Sequence, residues 1–242
     1  MKLEGKRILI TGGGSGIGLE LARRLADANR VVIADRDEHK LERARAQTPA
    51  LETLRLDVTS ESEARAAIAR LDGLDVLVNN AGLLRAYPLT AADAQAKSLE
   101  DVDVNVIGVL RVTRLALPLL ERSSEGALVF VSSAVALAAV PGYSVYAATK
   151  AAVHSLARSL RTELARSRIR VFEVLPPVVD TGPVSGLDVR KLPPGAVADA
   201  IVAGLRRNRE EIRVAQVRQL VPLARIAPRL ADRIVTRALT SS

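Results

Sequence analysis

Tyr146 and Lys150 stand four residues apart in the run Tyr146-Ala147-Ala148-Thr149-Lys150. On a helix, that spacing places both side chains on one face. A free tyrosine titrates at about 10, too high for easy proton exchange near neutrality, and an adjacent ammonium favours the phenolate. Each pH unit of lowering corresponds to about 1.4 kcal/mol, and a tuned acid-base group contributes roughly 10²–10⁴ in rate. The pair is therefore suited to protonating the alkoxide that develops when a hydride adds to a carbonyl, or to the reverse. Tyr143 lacks this relationship, because its i+4 residue is Ala147; it reads as a residue of the substrate pocket.

A hydride needs a carrier, and a second constellation fits one. The first β-branched run leads into Thr11-Gly12-Gly13-Gly14-Ser15-Gly16-Ile17-Gly18. Glycine lets the backbone turn sharply and approach a pyrophosphate, which the N–H groups of the following helix can hold. A glycine-rich turn without a ligand is the plain alternative, but its place after the first strand of a βαβ unit favours a phosphate cradle. Asp35 ends the next strand, Val31-Val32-Ile33-Ala34-Asp35. A carboxylate there accepts both ribose hydroxyls and repels a 2′-phosphate, so NAD is preferred. Arg36 pulls the other way, because a guanidinium can pair with a phosphate or stack on adenine, and this keeps NADP possible.

These residues need elements to hold them. Short β-branched runs at Arg7–Thr11, Val31–Asp35, Thr53–Leu56, Asp75–Asn79, Ala127–Ser132, Ile169–Leu175 and Ile212–Val214 read as strands. Helical patterns lie between them near 17–28, 38–47, 61–71, 91–120, 146–166 and 196–207. The alternation predicts an α/β fold, a Rossmann-type doubly wound parallel sheet of about seven strands with helices on both faces. With 242 residues and no linker or composition shift, the chain reads as one domain over 1–242. Aromatic residues make up only 2%, so the core must be built from Ala, Val, Leu and Ile, which suit buried parallel strands. A Pro/Gly-rich loop, Thr181 to Gly195, follows a strand's C-terminal end, where open α/β sheets bind ligands.

Further marks follow in order along the chain. The glycine pattern is Gly12-x-x-x-Gly16-x-Gly18, and Asn79-Asn80-Ala81-Gly82 closes the fourth strand. Asn105 lies in the long helix, and Ser133 stands thirteen residues before Tyr146. Pro176-Pro177-Val178-Val179-Asp180-Thr181 follows the sixth strand. Together these motifs resemble the short-chain dehydrogenase/reductase family over roughly residues 5–214. The resemblance implies an NAD(P)-dependent enzyme in which Tyr146 is the general acid or base and the Ser133 hydroxyl bonds the substrate oxygen. Lys150 would also contact the nicotinamide ribose, and Asn105 would support a water linking Lys150 to solvent. Ser132 is the competing serine, and a buried amide bonding helix backbone is the alternative for Asn105.

By the same resemblance, Gly12, Ser15, Gly16, Ile17, Gly18, Asn80, Ala81, Gly82, Pro176, Val179 and Thr181 belong to the cofactor site. Asp57-Val58 is similar to the family's adenine-contacting pair; Asp57 can equally serve the N-terminus of a helix, because Thr59 and Ser60 precede one. Ser15 occupies a position where NADP-preferring relatives often carry a basic residue, a second point for NAD. A homodimer or homotetramer is implied, with helices 91–120 and 146–166 as interface elements. Many relatives have Pro-Gly where this chain has Pro176-Pro177, and proline removes an N–H, so any contact using that donor is lost. This run and the tail beyond it are most similar to a bacterial subgroup linked to teichoic-acid D-alanylation operons.

The candidate substrate pocket comprises Leu83, Leu84, Val135, Leu137, Val140, Tyr143, Val178 and Val184. Nearly all are apolar, which implies a neutral, hydrophobic small-molecule carbonyl or alcohol. Arg85 is the one nearby charge that could bind an acidic group; a solvent-exposed role is the other reading.

Composition narrows the rest. There are no cysteines, so disulfides, thiolate nucleophiles and Cys-ligated zinc are excluded. With only His39 and His154, both read as structural, no metal site is expected. Met1 to Ile10 reads as a charged lead-in and a strand rather than a signal peptide, and a cytoplasmic location is expected. The net charge of +8 is uneven, because residues 206–242 carry nine Arg against Glu210, Glu211 and Asp232. The body is thus nearly balanced, and no nucleic-acid partner is expected. The tail at about 216–239 sets Leu220, Leu223, Ile226, Leu230, Ile234 and Val235 among arginines, with Pro222 and Pro228 limiting it to two short helices. Packing on the domain or on a second subunit is the favoured reading; contact with an anionic membrane surface is the alternative.

Overall fold

Apolar runs too short for helices are buried on both sides as parallel strands, as a computed structural model describing residues 1–181 and 191–240 shows. The strands are β1 (Arg7–Thr11), β2 (Arg30–Asp35), β3 (Glu52–Arg55), β4 (Val76–Asn79), β5 (Gly126–Val131), β6 (Ile169–Leu175) and β7 (Glu211–Arg213). They form one sheet in the order β3-β2-β1-β4-β5-β6-β7, every pairing parallel.

Alternate side chains feed two cores. Ile8 and Ile10 of β1 pack with α1 (Gly16–Ala26), α2 (Glu38–Gln47) and α7 (Pro194–Arg206) on one face. Leu9 packs on the other face with α3 (Glu61–Ala69), α5 (Gly108–Glu121) and α6 (Ser144–Glu163). The chain's two phenylalanines, Phe130 and Phe172, fill opposite faces of β5 and β6 and are fully buried. This is the doubly wound architecture expected from the alternation of elements. Its strand order reverses between β1 and β4, and the crevice beyond their C-terminal ends is where such sheets bind ligands.

One helical expectation is corrected. The helix expected over 91–120 is divided into α4 (Ala94–Val102) and α5 by a wider π-type turn, Asp103–Ile107. Such turns accommodate one extra residue, and Asn105, at the centre of this one, is tied sideways to Leu83 and Thr149. The tail forms two short helices, as expected: α8 (Val217–Ile226), which contains Pro222, and α9 (Pro228–Thr240), which Pro228 opens.

Candidate active site

The cofactor end is built by stitching the β1 and β4 loops together. Thr11 Oγ1 donates to the Val78 carbonyl and accepts from the N–H groups of Asn80 and Ala81. Asn80 Nδ2 returns two bonds, each of 3.0 Å, to the Thr11 and Gly12 carbonyls. Gly12 and Gly16 have φ of 62° and 55°, in the left-handed region that a side chain disfavours. A Cβ on Gly12 would lie 2.8 Å from Ala81 Cα, and one on Gly16 would lie 3.1 Å from the Thr181 side chain. Gly18 does not face the cleft. It lies beneath the loop, where a Cβ would meet Asn80 Nδ2 and the Gly12 carbonyl at 2.6 Å.

These residues fit a dinucleotide. The first turn of α1 has neither a side-chain cap nor an acidic residue, so its N–H groups remain available to an anion. Asp35 Oδ2 accepts the Gly14 N–H at 3.2 Å and Oδ1 accepts the Asp37 N–H at 3.1 Å, bracing the loop. A carboxylate has about four acceptor sites, which leaves capacity for ribose hydroxyls. Arg36 is exposed at the same end, beside Lys40, a cleft residue the sequence reading missed. Asp57 lines the cleft with Val58. Burial raises its carboxyl, but bonds from the Thr59 N–H and hydroxyl hold it below the usual carboxylate range. The N-cap of α3 is Ser60, which accepts the Glu63 N–H, so Asp57 is not the cap itself.

At the centre of the cleft, Ser133 follows β5 and meets Tyr146 and Lys150 of α6. Lys150 is buried, and its Nζ donates to the Val131 carbonyl at 2.9 Å while standing 5.8 Å from the centroid of the Tyr146 ring. Burial pushes the Tyr146 phenol up to about 12, with a smaller lowering by the Ser133 hydroxyl. Burial also brings the Lys150 ammonium down to about 8. Lys150 was expected to lower the phenol, but in the protein alone Ser133 does so. The lysine instead lies too deep to hold its full charge cheaply.

Asn105 stands behind the cleft wall, not on it. Its Oδ1 accepts the Leu83 N–H at 2.7 Å, and its Nδ2 donates to the Leu83 carbonyl and to Thr149 Oγ1. This is the buried-amide arrangement weighed as the alternative, although the amide bonds loop backbone rather than helix. It nonetheless adjoins the lysine, since a Cβ on Gly82 would lie 3.1 Å from Asn105 Oδ1 and 3.4 Å from Lys150 Nζ. The two candidate serines differ in their hydrogen bonding. The single hydroxyl proton of Ser132 is directed inward, shared between Glu173 and the Val174 carbonyl, whereas the Ser133 hydroxyl lies against Tyr146. Glu173 is fully buried on β6, and both its oxygens also meet His154 Nδ1 at 2.9 Å. His154 is therefore structural, as expected, and it clamps α6 to the sheet one turn beyond Lys150. The only sequence signal for this clamp was a glutamate inside an apolar strand.

Gly12, Ser15, Gly16, Ile17, Ala81, Gly82, Pro176, Val179 and Thr181 join the groups above in a single cleft of about 690 Å³, within the usual range for ligand sites. Of the expected pocket residues, Leu83, Leu84, Val135, Tyr143 and Val178 line it. Leu137 and Val140 do not; they pack in the apolar cluster behind the wall. Val184 lies outside the described residues. Arg85 neither enters the cleft nor stands free, because its guanidinium pairs with Glu100 at 2.7 Å and Asp101 at 3.5 Å. The sequence reading also missed a wall. Val217, Leu220 and Leu223 of α8, and Ile234 and Val235 of α9, close the substrate end, with Gln216 and Gln219 as its polar members. Among the described residues there is no cluster able to hold a metal ion.

Known proteins resemble this chain along most of its length. The family described as short chain dehydrogenase matches residues 6–189. The uncharacterized oxidoreductase DltE of Bacillus subtilis is 34% identical over 224 residues, spanning 88% of this chain and 89% of the relative. A short chain dehydrogenase from Burkholderia cenocepacia solved in complex with NADP superposes with a TM-score of 0.88 at 27% identity, covering 97% of this chain and 99% of the other. The 3-ketoacyl-(acyl-carrier-protein) reductase of Brucella melitensis, complexed with NADH, superposes at 0.77 with 30% identity over 84% of this chain and 91% of the other.

Proposed function

The chain belongs to the short-chain dehydrogenase family and is an NAD(P)-dependent oxidoreductase, and from that premise we propose that it interconverts a neutral, hydrophobic carbonyl and its alcohol, with NAD preferred. One observation carries the reading. Ser133, Tyr146 and Lys150 meet midway along a cleft that is anion-ready at one end and apolar at the other. When bound, the nicotinamide supplies or accepts the hydride.

The chain's own residues govern the proton. The Tyr146 hydroxyl gives its proton to the substrate oxygen in the reductive direction and recovers it in the other. Ser133 donates a hydrogen bond to the same oxygen and so fixes its position. Ser133 also counters part of the burial that keeps the phenol high, and Lys150, with its Nζ 5.8 Å from the centroid of the Tyr146 ring, would contact the nicotinamide ribose. The wall of Leu84, Val135, Val178, Leu220 and Leu223 keeps water from the reacting carbon and selects an apolar substrate. Asp35 supports NAD over NADP by repelling a 2′-phosphate. Arg36 and Lys40 at the same rim favour the second reading, an NADP-dependent reductase.

The exposed apolar residues Leu99, Val102, Ile107 and Leu110, along α4, the wide turn and α5, support a homodimer or homotetramer formed through this face. Among the described residues no helix is long and apolar enough to cross a membrane, which is compatible with the expected cytoplasmic site of action.

A panel of carbonyls and alcohols assayed with NAD(H) and NADP(H) in parallel, for wild type and Tyr146→Phe, tests the reading. Tyr146→Phe should bind NADH as the wild type does and lose at least about 10²-fold in turnover. Unchanged turnover would remove Tyr146 from the reaction.

A further inference from the structure

The two C-terminal helices carry apolar residues on both faces, and only one face is covered. Val217, Leu220, Val221, Ala231 and Val235 are buried against residues 134–143. The orientation of α9 is fixed by polar bonds, since Asp232 Oδ1 accepts the Ala139 N–H at 2.8 Å and Thr236 Oγ1 donates to the Ala139 carbonyl at 3.2 Å. On the outer side, Ile226 is 84% exposed, Leu230 48% and Ile234 47%. Arg225, Arg229 and Arg233 stand exposed beside them. Asp232 is the only acidic residue in 217–240, and its carboxylate is turned to Ala139. Ile234 also lines the cleft, so the outer stripe runs directly into the mouth of the substrate end.

An apolar stripe bordered by long basic side chains suits the boundary between headgroups and acyl chains. The apolar residues enter the bilayer surface while the guanidinium groups stay among anionic headgroups. An acidic protein surface would satisfy the arginines but would leave the apolar stripe unmatched. We propose that α8 and α9 form a docking surface for an anionic membrane, seated on Ile226, Leu230 and Ile234, with the mouth of the cleft turned toward the bilayer. The docking rests on this surface alone and holds whatever the cleft takes.

The test is co-sedimentation of the full chain with vesicles of phosphatidylcholine, with and without phosphatidylglycerol, at low and high salt. Binding is expected to the mixed vesicles only, weakened by salt and by the combined Arg225→Gln, Arg229→Gln and Arg233→Gln variant. The double variant Ile226→Ser, Leu230→Ser should bind the mixed vesicles at least about tenfold more weakly, with melting temperature and NADH affinity unchanged. Three results would overturn the proposal: no binding to mixed vesicles at low salt, equal binding by the double variant, or a smaller oligomer in the double variant by light scattering. The second would mean mere adhesion of a cationic protein, and the third would mean that the stripe is covered by a second copy.

Discussion

Lys150 sits where its charge costs the fold stability, and replacing it with methionine should make the protein more stable. Burial brings the ammonium from 10.5 down to about 8. At about 1.4 kcal/mol per pH unit, keeping it charged in the folded protein costs about 3 kcal/mol near neutrality. Methionine has similar length and no charge, and losing the bond to the Val131 carbonyl offsets about 1–2 kcal/mol of the gain. Lys150→Met should therefore be more stable by about 1–2 kcal/mol at pH near 7. The pH dependence has a fixed sign. The folded lysine titrates below the unfolded one, so between pH 8 and 10.5 the unfolded chain binds more protons and wild-type stability rises with pH. The advantage of the variant should shrink across that window and reverse above it, where only the lost hydrogen bond remains. Urea denaturation of both proteins without nucleotide, at pH values on either side of the window, measures the difference. A variant weaker than wild type near neutrality, or a gap that does not change with pH, would refute the reasoning.

Other expectations concern separate parts of the molecule. Asp75 is buried, which raises its carboxyl, but bonds from Arg7 and Ser123 bring it down to about 2. Asp75→Asn should cost about 2 kcal/mol in urea melts. That contribution is complete above pH 3.8 and lost as the pH falls through about 2, so the gap should close only in strong acid. Asp35→Ala should abolish a preference for NADH over NADPH of at least about tenfold, or about 1.4 kcal/mol; fluorescence titration with both nucleotides checks this, and an unchanged ratio would assign the choice to Arg36 or Lys40. Glu173→Leu takes the acceptor from His154 and from one bond of Ser132, and should lower stability by about 1–3 kcal/mol, read by chemical denaturation.

Features with a local cause were legible in the sequence. The glycines at Gly12 and Gly16 announce backbone angles that only glycine takes easily, and they occur at φ of 62° and 55°. The four-residue spacing of Tyr146 and Lys150 announces a shared helical face, because helix geometry converts spacing into direction. The β-branched runs announce strands buried on two sides, because helices must cover both faces of a parallel sheet. Element ends shifted by up to three residues, as fraying and capping allow.

What depends on distant partners was not legible. Glu173 reads as one polar residue in an apolar strand, and only the fold brings Ser132 and His154, 41 and 19 residues away, to its carboxylate. Asn105 reads as part of a continuous helix until Leu83 and Thr149 bond it from both sides across a wide turn. The tail shows its amphipathic pattern plainly, yet the pattern cannot say that its inner face completes the substrate end of the cleft. The sign of the electrostatics was decided last of all. Spacing alone makes Lys150 a neighbour that favours the phenolate, whereas burial, which is summed over the whole fold, drives the phenol up and the lysine down.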